Sequence, residues 1–242
     1  MLDPLSLALL IAELVLLMAT LYLLLMARRE AGARKRLLSQ MARTAAVLSR
    51  QEYFHSVILG MQTARSSIHG LISGSSPTTK ENADHVRQIA EQIQLAVQRG
   101  TTVRYLVPKA VDRIALASLY RAAGADLRFH PGHLVNDARY VIFDDRFTVI
   151  GLPAVTGENE PTREGFTLPS EGVASIFDQQ FDQDWSGATP YDAYLTEVIQ
   201  EIRFHSPQVS LRLISTQLQI SEKELLQYES NRPASGPLEG LS

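Results

Sequence analysis

The chain has 242 residues, with 26 acidic residues against 23 Lys and Arg for a formal net charge of −3, and no cysteine. That length suits one domain of ordinary size with appendages. The near-balanced charge excludes a basic nucleic-acid coat and an acidic tail protein, and the missing thiols exclude a disulfide framework, a thiol nucleophile and a cysteine-ligated metal.

Leu5 to Met26 is an apolar run with one charge, Glu13. At about 1.5 Å per residue it matches the ~30 Å hydrocarbon of a bilayer, and its leucines outweigh the roughly 3 kcal/mol that one acid costs. Residues 1–27 therefore read as a transmembrane anchor; a cleaved signal peptide fits worse, because the start is Met-Leu-Asp-Pro and no small-x-small site follows. Arg28, Arg29, Arg34, Lys35 and Arg36 follow the span and no Lys or Arg precedes it. The positive-inside rule then sets the N-terminus outside and residues 27–242 in the cytoplasm, at the cell membrane. Glu13 is a functional candidate by default, although a protonated side chain at a helix–helix contact accounts for it more simply.

Residues 28–50 read as a juxtamembrane helix with Leu37, Met41 and Leu48 on one stripe. Its basic start is either the topogenic charge cluster or a contact with anionic headgroups. From residue 51 helices and strands alternate. A helix carries Phe54, Val57, Ile58 and Met61; a strand follows at 67–73, a polar loop at 74–82, and a helix at 83–99 stops at Gly100. Strands are expected at 102–108 and 125–130 around a helix at 111–123. Strands 138–143 and 146–151 form a hairpin turned at Asp144-Asp145. A polar loop at 154–163, a short strand near Gly165 and a helix through Trp185 close the domain, whose class is α/β. Residues 189–230 form a helical segment: one helix at 190–204, then two short ones around Gln219-Ile220-Ser221, where Ser221 and Glu224 fit a capping box. Residues 231–242 read as a disordered tail.

In the hairpin the register is Asp137-x-Arg139-x4-Asp144-x6-Gly151-Leu152-x-Ala154, then Glu164-Gly165-Phe166 and the helix F-D-Q-Q-F-D-Q-D-W at 177–185. Over residues 51–188 this resembles the phospholipase D superfamily, in a form with one half-domain per chain and the signature H-x-K-x4-D-x6-G-S-x-N. The resemblance implies a mixed sheet flanked by helices, here preceded by one transmembrane helix and followed by a small helical tail, and it implies a homodimer. In the family the His attacks phosphorus and the Lys and Asn hold phosphate oxygens. Here Asp137 stands at the nucleophile position, Arg139 at the Lys, Leu152 at the Ser and Ala154 at the Asn. A carboxylate facing a phosphodiester meets a repulsion of about 4 kcal/mol at 4 Å and an effective dielectric of 20. Arg139 still suits phosphate, with a wider planar head. Asp137, Arg139, Asp144 and Glu164 are thus the positions of a degenerate site without catalysis.

Arg104, Arg128 and Arg139 sit on separate strands, and Arg139, Arg104 and His133 are the candidates to hold an anionic ligand. His130 and His133, with Asp137 near, do not reach a convincing metal set, so neither metal nor cofactor is expected. G-S-S-P-T-T-K at 74–80 lacks the phosphate-loop pattern. Residues 207–230 resemble half of a helix-turn-helix, but Arg212 and Lys223 are too few cations for DNA, and a helical pair docked on the domain or a partner is the better reading. The expectation is a single-pass membrane protein whose cytoplasmic domain binds a ligand or protein partner without catalysis, as sensor or scaffold. The alternative is a membrane-anchored phosphodiesterase, nuclease or phospholipase, with a divergent site; a membrane-bound transcription regulator is a weaker third.

Overall fold

The structure, a computed structural model, describes Met18 and residues 46–73, 80–132, 139–153 and 162–230. The rest of the expected span at 5–26, most of the juxtamembrane segment, His133, Asp137, Ala154 and the tail 231–242 lie outside the described residues. Among the described residues no helix is long and apolar enough to cross a membrane.

The juxtamembrane helix does not run to residue 50. Strand β1 occupies Ala46–Ser49, and helix α1 starts afresh at Arg50–Thr63. The cause is local. Ser49 is extended (φ −60°, ψ 165°), its hydroxyl accepts from the Glu52 amide, and the Glu52 carboxylate accepts from the Ser49 amide at 2.7 Å. This reciprocal cap satisfies two amides that a continuous helix would have bonded internally, and it fixes the break.

Strands β2 (Ser67–Leu71), β3 (Thr102–Pro108) and β4 (Asp126–His130) are parallel, linked by α2 (Lys80–Gln98) and by a 3₁₀ turn at Val111–Arg113 leading into α3 (Ile114–Ala122). β5 (Arg139–Phe143), β6 (Phe147–Pro153) and β7 (Thr162–Leu168) continue the sheet antiparallel from β2. The short β8 (Thr189–Pro190) closes the other edge, giving the order β1-β7-β6-β5-β2-β3-β4-β8. β7 is longer than the strand expected near Gly165 and takes in the end of the expected polar loop.

The two faces of the sheet differ in chemistry. On one, α1, α2, α3 and α5 (Tyr191–His205) enclose an apolar core that includes Met61, Ile68, Ile93, Tyr105, Leu127 and Phe129, all at most 1 % exposed. Close approach needs glycine here: a Cβ on Gly60 would stand 2.5 Å from the Phe143 ring, and one on Gly165 2.6 Å from the Tyr53 ring. The other face is covered by α4 (Glu171–Gly187), which brings Phe177 against Tyr140 and Phe181 against His69. Because side chains alternate along a strand, the odd residues of β5 face α1 and the even ones face α4.

The C-terminal helices α6 (Leu211–Leu218) and α7 (Glu222–Ser230) join the apolar core through Ile214, Leu218, Ile220 and Leu225. The expected capping box is half formed. Ser221 accepts from the Glu224 amide at 3.2 Å, but the Glu224 carboxylate turns to Ser118 (2.6 Å) and Tyr191 (2.8 Å), docking α7 on α3 and α5.

Candidate functional site

The parallel strands β2, β3 and β4 all end at one edge of the sheet, the usual place for a ligand in such a layout. The start of β5, the end of β6 and the start of β7 meet at the same edge, since Leu71 pairs with Tyr140, Arg139 with Gly151, Gly151 with Gly165 and Leu152 with Glu164. The antiparallel register therefore gathers Arg139, Gly151, Leu152 and the backbone of Glu164, four positions of the degenerate motif. His130 and Arg139 lie at this edge, and Asp137 and His133, between them in the chain, lie outside the described residues.

Arg139 is 8 % exposed and faces the α1 side, where its charge acts on the Tyr53 hydroxyl. Burial pushes that hydroxyl up to about 12, and Arg139 opposes the rise. A buried guanidinium beside a neutral phenol is a built cationic spot. Leu152 is 37 % exposed and provides no oxygen or nitrogen where the family pattern has Ser.

Asp144 is elsewhere. It sits at the far end of β5, roughly 17 Å from Arg139 at about 3.3 Å per residue. With Asp145 it forms the hairpin turn, both residues having positive φ (52° and 55°) as a type I′ turn requires. Its carboxylate accepts from the amides of Arg65 (2.9 Å), Ser66 (2.7 Å) and Ser67 (3.0 Å) and from the Ser66 hydroxyl (2.8 Å). Burial raises its pKa, but these four donors outweigh burial and hold it below the ordinary value. Asp144 anchors the chain entering β2.

Arg104 does not join Arg139 either. It lies two strands away, paired in register with His69, and both face α4. There a second constellation forms that the sequence reading did not single out. His69, 6 % exposed, lies flat on Phe181, with ring centroids 5.0 Å apart and an interplanar angle of 4°. Its Nδ1 is 2.6 Å from Asp178 Oδ1, and its Nε2 is 3.0 Å from Arg104 Nε and 2.8 Å from Arg104 Nη2. Arg104 Nη2 is also 3.1 Å from Asp182 Oδ1, and the guanidinium lies 5.4 Å and 5.3 Å from the rings of Phe181 and Trp185. Arg128 stacks on the other reach of Trp185, at 4.6 Å, and donates to its carbonyl oxygen at 3.1 Å. A signal for this cluster existed in F-D-Q-Q-F-D-Q-D-W: Asp178, Phe181, Asp182 and Trp185 recur at helical spacing on one face.

Asp145 completes the cluster. One ligand atom each from His69, Asp145 and Asp178 lies within 4.8 Å of the others. Burial, then Asp178, pushes the Asp145 carboxyl up, while His69 opposes the rise. The trio suits a divalent cation by residue type, but the tautomer does not. A metal-bound imidazole presents its other nitrogen as N–H to an acceptor, whereas Nε2 of His69 meets two guanidinium donors. His69 Nε2 instead accepts from Arg104, which leaves Nδ1 to meet Asp178.

No family model matches the chain, and no curated protein matches it. Among solved structures it is similar to the phospholipase D family member Nuc from Salmonella typhimurium, at 16% identity and a TM-score of 0.47, over 61% of this chain and 98% of that one. It is similar to NucT from Helicobacter pylori at 14% identity and a TM-score of 0.45, over 60% and 98%. It is also similar to the phosphatidylserine synthase of Haemophilus influenzae Rd KW20, at 14% and 0.45, over 80% of this chain and 48% of that one. Each likeness is one of fold.

Proposed function

We propose that the chain is a membrane-tethered, phospholipase D-like domain that binds an anionic ligand or a protein partner and does not hydrolyse phosphodiesters. One observation carries the reading: in the motif register a carboxylate, Asp137, takes the place of the attacking imidazole, and no Lys follows His130 or His133 at the offset the motif requires. The site's cation persists as Arg139, buried at the edge where the strands converge, which supports binding of an anion. His69 does not substitute as nucleophile, because it faces α4 and both of its ring nitrogens are engaged.

The apolar run at 5–26 supports the tether, with the domain on the cytoplasmic side, and the single half-domain supports a homodimer in which two such edges face one another. The test uses the full chain in detergent, assayed on bis-p-nitrophenyl phosphate and on single-stranded DNA beside Asp137→Ala. The expected result is background hydrolysis in both. Turnover by the wild type that Asp137→Ala abolishes overturns the proposal and establishes the phosphodiesterase alternative. Thermal-shift titration with inorganic phosphate, in wild type and in Arg139→Gln, tests the anion half of the reading. The expected rise in Tm in wild type is reduced in the variant.

A further inference from the structure

The cluster beneath α4 lies on the opposite face of the sheet from Arg139, and the proposed ligand site does not use it. We propose that it is a proton-operated switch: protonation of His69 ejects Arg104 from the ring and leaves it on Asp182 alone, changing how α4 is held on the sheet. The argument rests on donors and acceptors. In the observed arrangement His69 serves two partners with one hydrogen: Nδ1–H donates to Asp178, and the bare Nε2 accepts from Arg104. A second proton can add only at Nε2. It would then lie between that nitrogen and guanidinium nitrogens 2.8 Å and 3.0 Å away, which are themselves donors carrying a positive charge. The two states exclude one another.

The surroundings give each state a partner. From α4, Asp178 and Asp182 face the pair; from the β5–β6 turn, Asp145; from β3, Arg104. Arg128 of β4 is committed to the Trp185 ring and carbonyl oxygen. On β5 the buried Tyr140 hydroxyl adds no charge, since burial, then Asp184 and Asp178, pushes its pKa up. Asp144 is spent on the amides of residues 65–67. Three carboxylates thus gather around the His69–Arg104 pair, and a charge on the imidazole improves the balance. Arg104 already has its second anchor, Asp182 Oδ1 at 3.1 Å, whose side chain is 55% exposed. The ejected guanidinium can keep that contact while giving up the ring, so the exchange needs no large motion of the backbone.

Trp185, the single tryptophan of the chain, reports the event because Arg104 lies 5.3 Å from its ring. The full chain in detergent with EDTA is titrated from neutral to acid pH, reading tryptophan emission alongside far-UV circular dichroism. The expected result is a one-proton step in emission at constant dichroism. His69→Gln, whose amide still serves both Asp178 and Arg104, loses the step, and Asp145→Asn moves it to lower pH. A flat trace, a step that survives His69→Gln, or a step that appears only as dichroism is lost overturns the switch, as does an emission change on adding zinc to an EDTA-free sample at neutral pH that His69→Gln removes. If His69→Gln does not fold, ¹⁵N spectra of the wild-type imidazole decide: a bare Nε2 at neutral pH that gains its proton across the emission step supports the switch, and any other tautomer or sequence of protonation sinks it.

Discussion

Adjacent aspartates in one turn have opposite electrostatic fates. Asp144 accepts from four donor groups and its pKa is lowered; Asp145 faces Asp178 and its pKa is raised. A depressed carboxyl contributes stability above its unfolded pKa, and that contribution is lost as pH falls through the folded value; a raised carboxyl opposes folding while ionised, and acid relieves it. Asp144→Ala should therefore destabilise the protein by about 2 kcal/mol, from lost charge-assisted bonds and a left-handed residue without a side chain that favours it. Asp144→Asn should cost less, and the gap between wild type and either variant should narrow in acid. Asp145→Asn should stabilise the protein at neutral pH by about the few tenths to 1 kcal/mol of an exposed charge contact, since Asn tolerates the same positive φ. That gain should shrink as pH is lowered. Thermal melts of the three variants at several pH values check both signs. At this scale the sequence shows that Asp144-Asp145 turns a hairpin. It does not show that Asp144 reaches back 77 to 79 residues to the amides leading into and opening β2, because that depends on which strand lies beside β5.

Among the elements, strands and helices were legible wherever apolar residues kept a period of two or of three to four, as in T-V-R-Y-L-V-P and in the helix ending at Gly100. Two features were not. The strand Ala46–Ser49 is too short to show a period, and only the Ser49–Glu52 cap marks it. The His69–Arg104 pair depends on the parallel register of β2 and β3, which no local pattern encodes. Element packing also makes Gly165 restrictive. Its Cβ would press on Tyr53 at 2.6 Å and on the Ile150 carbonyl oxygen at 3.2 Å, and the second of these is backbone and cannot rotate away. Gly165→Ala should cost about 1–3 kcal/mol by overpacking and push Tyr53 off the row that holds Arg139. A denaturant midpoint measured beside Tyr53→Leu tests this: if adding Gly165→Ala to the Tyr53→Leu variant costs no less than adding it to wild type, the clash is not with the ring.

For the whole molecule the question is whether α6 and α7 are an appendage or part of the domain. In sequence they are a short helical pair after Pro207 that resembles half of a DNA reader and reads better as docked on the domain or on a partner. Four of their apolar side chains, Ile214, Leu218, Ile220 and Leu225, are at most 5 % exposed and lie in the common core. Arg121, Asp192 and Tyr228 meet around one point, with Arg121 Nη1 2.7 Å from both the Asp192 carboxylate and the Tyr228 hydroxyl. Burying four such side chains is worth roughly 6–12 kcal/mol before the entropy of ordering two helices is subtracted, an amount comparable to the net stability of an ordinary domain. A chain ending at residue 206 should therefore lose its cooperative transition rather than merely shed a partner-binding tail. In the full chain, dichroism and Trp185 emission should unfold with one midpoint, because α4 and the α6–α7 pair belong to one compact unit. A truncated chain that still melts sharply at an unchanged midpoint would mean that the pair adds nothing to the core, and would favour the reading in which residues 207–230 dock on a partner.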